Sequence, residues 1–131
     1  MQRNILAVVS GLLFWAAFGS LLILALRLSW PAYEAAHPTR TFTLAMQIAR
    51  LSIGAAASLA AGALVRRIAG SGGRSVLATG AGLLLLSLPV HLSEPTWSHY
   101  PLRYHLIYFA YLIPLTILGG KLASPKEAPH V

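Results

Sequence analysis

Apolar residues fall into four runs along the chain, and the polar residues collect between them. Asn4 to Leu26 contains no charged residue. As a helix it covers about 35 Å at roughly 1.5 Å per residue, enough to cross a bilayer with some tilt. Thr41 to Val65 is a second run with a single charge, Arg50. Ser75 to Ser93 is a third, uncharged, with Pro89 near its end. Tyr104 to Gly120 is the fourth and shortest, interrupted by Pro114. The pattern predicts an all-α bundle of four transmembrane helices within a single domain, residues 1–123, followed by a disordered tail over 124–131. Arg3 before the first run resembles the n-region of a signal peptide. The apolar stretch is too long for one, however, and no small-x-small cleavage site precedes Arg27, so a retained helix is expected.

The segments between the runs are of two kinds. Arg66 to Arg74, RRIAGSGGR, is a basic glycine turn, and its glycines lack the lysine and the preceding strand of a phosphate loop. The other two are aromatic. Arg27 to Arg40 holds Trp30, Tyr33, Glu34 and His37, with Pro31 and Pro38 breaking a continuous helix. His91 to His105 holds Glu94, Trp97, His99 and Tyr100. Four antiparallel spans put these two loops at one end, where they form two halves of a cap.

Composition and charge sharpen this picture. The chain is 56% hydrophobic and only 10% charged, against about 25% charged residues in soluble domains, so a soluble fold could not cover its own surface. The net charge of +7 would point to nucleic acid in a soluble protein. Here the basic residues lie between apolar runs, as the positive-inside rule describes, and no nucleic-acid partner is expected. Arg3, Arg66, Arg67, Arg74, Lys121 and Lys126 lie on one side, and Arg27, Arg40 and Arg103 on the other. Both termini are therefore expected in the cytoplasm and the aromatic loops outside. The absence of cysteine excludes disulfides and thiolate metal sites.

Few residues can carry chemistry. Thr43, Gln47, Arg50, Gly54 and Ser58 share one helix face by their spacing. Arg50 can reach back toward the cap, because helical side chains lean toward the N-terminus. The only acids on that side are Glu34 and Glu94, its expected partners. Two roles follow: a ligand contact using Arg50, Gln47, Glu34 and Glu94, or an Arg–Glu clamp that holds a loop to the bundle. The clamp is preferred, because intramembrane charges are usually paired. His37, His91, His99 and His105 gather at the same end and, with the two glutamates, are a candidate divalent-metal set. Their spacing matches no compact ligand motif. His91 and His105 are also candidate axial haem ligands, and the plainer reading is four histidines tolerated at a membrane interface. Tyr104, Tyr108 and Tyr111 form a packing stripe. No nucleophile elbow is present, so nothing points to catalysis and no cofactor is expected. Gly54, Ser58 and Gly62 make a small-residue face suited to a second copy or a partner helix.

The run WPAYEAAHPTRTFTLAMQIARLSIGAAASLAAG, with LSLPVHLSEPTW and YHLIYFAYLIPLTILGGKLA, resembles a group of uncharacterised small bacterial four-helix inner-membrane proteins. The resemblance implies a bacterial inner-membrane location and four spans, and brings no activity or site residue. The expected function is a non-enzymatic accessory or structural membrane component. The alternatives are a small transporter or ligand-binding protein with an outward pocket around Arg50, and a metal- or haem-binding membrane protein.

Overall fold

Each apolar run becomes a long helix in the computed structural model, which describes residues 1–70 and 73–124. These are α1 (Gln2–Ser29), α3 (Leu44–Ala69), α4 (Arg74–Leu92) and α6 (Leu102–Leu122), each long and apolar enough to cross a membrane. Two short helices, α2 (Pro31–Ala36) and α5 (Thr96–His99), sit in the aromatic loops. The fold is an all-α, multi-pass membrane architecture, and no strand occurs among the described residues. Leu13, Leu21, Ile48, Leu85, Leu86 and Leu106 stand exposed on the four long helices. A belt of this kind is stable only against lipid. The tail expected beyond residue 124 lies outside the described residues.

Helix boundaries follow caps rather than the edges of the apolar runs. Thr43, not Thr41, starts α3, its hydroxyl accepting from the Met46 amide. The helix then runs past Val65 through both arginines to Gly70, whose positive φ of 81° ends it. Pro31 occupies the first turn of α2, where its missing N–H costs nothing, so the proline expected to break helix instead begins one. Pro89 and Pro114 stay inside α4 and α6.

Small residues set the packing. α3 touches all three other long helices, and its closest crossing is with α6. A Cβ at Gly62 would overlap the Thr116 carbonyl, and one at Gly119 the Leu59 carbonyl. Gly54 is covered by Tyr108 and Tyr111. The Gly54, Ser58 and Gly62 face is therefore packed within the chain. Buried hydroxyls are satisfied locally: Ser58, Thr79 and Thr116 each donate to the carbonyl four residues earlier. Ser58 also accepts from the Trp15 indole at 3.1 Å, tying α1 to α3. At the far end from the aromatic loops, α1 packs tightly, with Gly11 against Val65 and Thr79, and Arg3 donates to the Ile68 carbonyl at 2.6 Å.

Candidate functional site

The two aromatic loops meet over the end of the bundle. Arg40 Nη1 donates to Thr96 Oγ1 at 3.1 Å across 56 residues of sequence. Phe42 stacks on Tyr33 with centroids 5.0 Å apart and on Tyr100 at 5.9 Å. Tyr33 comes from α2, Phe42 precedes α3, and Tyr100 precedes α6, so one aromatic stack joins both hairpins. Arg40 holds the left-handed backbone region at φ 55°, a conformation that costs a non-glycine residue about 1–2 kcal/mol.

Arg50 lies beneath this cap, with partners other than those expected. Its Nη1 donates to the Tyr33 hydroxyl, and its guanidinium carbon sits 5.1 Å from the Phe42 centroid and 5.8 Å from that of Tyr100. Both distances fall within cation–π range. Its Nε is buried without a hydrogen-bond partner. Glu34 is instead held in a fork by Arg27, at 2.6 and 2.8 Å. Arg27 lies one helix break before it, close enough to capture it first. The Arg27 guanidinium lowers the Glu34 carboxyl below the usual carboxylate range. Glu94 accepts from Ser98 at 2.6 Å. The Arg50–Glu clamp does not form. Gln47 is also diverted, its amide donating to the Phe42 carbonyl at 3.1 Å and stitching the loop to the start of α3.

Two cavities adjoin Arg50. The first, about 210 Å³, lies between the loops and is lined by His37, Arg40, Phe42, Arg50, Val90, His91, Thr96, Tyr100 and Tyr104. It holds two guanidinium groups and, among the described residues, no carboxylate. Burial pushes the Tyr100 hydroxyl up to about 12, so this ring stays neutral beside the arginines. Burial also lowers the His37 imidazole below its ordinary value, with Arg27 and Arg50 adding to the effect and Glu34 opposing it. The second cavity, about 350 Å³, runs down from Arg50, His91 and Tyr104 along the apolar face of α1.

The histidines do not assemble as a metal set. No group of three or more His, Asp or Glu side chains converges among the described residues. His99 is exposed, its Nδ1 2.6 Å from the Pro95 carbonyl, and His37 packs by Tyr33 and Phe42. Only His91 and His105 meet, Nδ1 to Nδ1 at 3.0 Å with rings at 85°. Here they contact each other directly, with no space for a macrocycle between the rings. His105 is 1% exposed and covered by Trp97, and His91 stacks on Tyr108 at 4.1 Å.

The site the structure builds thus keeps Arg50, His37 and His91 from the sequence reading and adds Arg40, Phe42, Thr96 and Tyr100. Arg40 was visible as a charge immediately before the second apolar run. The aromatic partners carried no signal beyond their place in the loops. Compared with known proteins, the chain matches no family model, no curated protein and no solved structure.

Proposed function

We propose that this chain is a ligand-binding protein of the bacterial inner membrane, with both termini in the cytoplasm, that holds a small anion at Arg50 beneath its outer loops. One observation carries the reading: a cavity lined by two arginines and, among the described residues, by no carboxylate. A guanidinium at the edge of a low-dielectric region is costly unless an opposite charge or hydrogen bonds meet it. Tyr33 meets one nitrogen of Arg50, the Nε is unmet, and the cavity lies alongside. Phosphate and carboxylate oxygens match the planar fork of arginine. The side of the membrane and the bacterial location rest on the lysine and arginine distribution and on the resemblance of the chain.

The competing reading is a structural component in which Arg50 only fastens the two loops, and its contacts with Tyr33, Phe42 and Tyr100 favour it. Calorimetry on protein in phosphatidylcholine nanodiscs, titrated with ethyl phosphate and with acetate, separates the two. The ligand reading expects saturable binding of at least one anion, weakened roughly tenfold or more in Arg50→Gln and less in Arg50→Lys. If the wild-type protein takes up neither anion, the structural reading stands.

A further inference from the structure

The second cavity makes the ligand more specific. It shares Arg50, Val90, His91 and Tyr104 with the charged cavity, so the two adjoin at the arginine. Below that level its walls turn apolar: Ala16, Gly19 and Ile23 of α1 face Ile53 and Ala57 of α3, with Trp15 at the lower end. From Trp15 to Ile23 the groove follows about 12 Å of helix axis at ~1.5 Å per residue. Its rim is open, because Ala16, Ser20 and Val90 are exposed. The opening follows from how α1 packs. Its first half is pressed against α3 and α4 through Gly11 and Leu12, whereas Gly19 only reaches ordinary contact with Ala57.

Resting on the anion site proposed above, we infer that the occupant is a single-chain lipid phosphate, a phosphate monoester on one long alkyl or prenyl chain, with its head at Arg50 and Arg40 and its chain in the groove along α1. Charge complementarity selects the head. Two guanidinium groups meet a phosphate monoester of about −1.5 to −2 at neutral pH, whereas a carboxylate leaves one of them unmatched. Size selects a single chain, since the groove encloses only about 350 Å³. Its position selects a chain drawn from the bilayer, since the rim opens on the exposed apolar surface of α1 and α4. The cavities, about 210 and 350 Å³, fall together within the ~300–1,000 Å³ typical of small-molecule sites. An ordinary membrane-facing crevice would have no charged head site at its end.

The test uses the full chain in phosphatidylcholine nanodiscs with Trp30→Phe and Trp97→Phe, which leaves Trp15 as the fluorophore. The probe is dodecyl phosphate brominated on its chain, since bromine quenches only an indole it touches. The inference expects saturable quenching of Trp15, reversed by excess ethyl phosphate and weakened roughly tenfold or more by Arg50→Gln. Bromododecyl phosphocholine, whose head has no net charge, and bromododecanoate should quench far less. Gly19→Leu, which fills the groove, should abolish the quenching. Ethyl phosphate binding without quenching of Trp15 overturns the chain assignment while leaving the anion site standing. Equal quenching by the carboxylate or the phosphocholine overturns the head assignment, and undiminished quenching in Gly19→Leu overturns the groove. If ethyl phosphate, bromododecyl phosphate and bromododecanoate all fail to bind, the anion site falls as well.

Discussion

Replacing Gly62 with alanine adds one methyl group at the closest crossing in the molecule. That methyl would overlap the carbonyl oxygen and carbon of Thr116 and press on the amide nitrogen of Gly120. All three are backbone atoms of α6, so no side chain can rotate away, and the helices must part along their contact. Overpacking of a tight core costs about 1–3 kcal/mol when side chains can adjust. With a backbone wall the upper end applies, about 3 kcal/mol, which is on the order of a 150-fold change in the folding equilibrium. Gly73 is the control, because a Cβ there meets nothing within 4 Å. Gly73→Ala should stay within about 0.5 kcal/mol of wild type. The assay is equilibrium unfolding in mixed micelles, followed by helical circular dichroism at two protein concentrations. The loss in Gly62→Ala should not depend on concentration, because the crossing lies within one chain. A Gly62→Ala protein as stable as Gly73→Ala would refute the close crossing. A loss confined to dilute protein would instead place this face between two copies.

Two further outcomes follow from the cap. Tyr33→Phe keeps the buried ring but removes the hydroxyl that Arg50 donates to, and should cost about 1.5–3 kcal/mol in the same unfolding assay. Glu34→Ala, which removes only an exposed pair with Arg27, should move the transition far less; the reverse order would restore the Arg50–Glu34 clamp. The pH response has a defined sign: since burial and the arginines lower the His37 pKa in the fold, the unfolded chain takes up a proton that the fold resists. Stability should therefore fall as pH drops through and below about 6.5, and His37→Gln should flatten that part of the profile, measured as melting temperature against pH.

The four spans were legible in the sequence because lipid demands long apolar runs, and nothing else in the chain competes with that demand. Their ends were less legible. Thr41 and Val65 bound the apolar stretch, while Thr43 and Gly70 bound the helix, since a cap is set by backbone geometry and not by hydropathy. That the aromatic loops meet was also readable, because four antiparallel spans put them at one end. Which residues pair there was not. A search by charge leads from Arg50 to Glu34, but the short helix begun by Pro31 brings Glu34 back onto Arg27 and turns Tyr33 inward. The small-residue face on α3 was legible as a contact surface, though not that α6 covers it. The adjacent Gly119 and Gly120 on α6 were the matching signal, hidden by the short appearance of the fourth run.

The Gly62 crossing also bears on how the protein is made. α6 follows the other three long helices in synthesis, yet it supplies the surface that closes on Gly54 and Gly62, and Tyr100 just before it completes the rings around Arg50. Until it arrives, a nascent chain carries a bare strip of small residues and a cation enclosed on one side only. Both are features a partly built helical hairpin exposes and the finished fold conceals. A chain that stops before α6 is thereby chemically distinct from one that carries it. The same closure that gives α3 its tightest contact is the docking of α6.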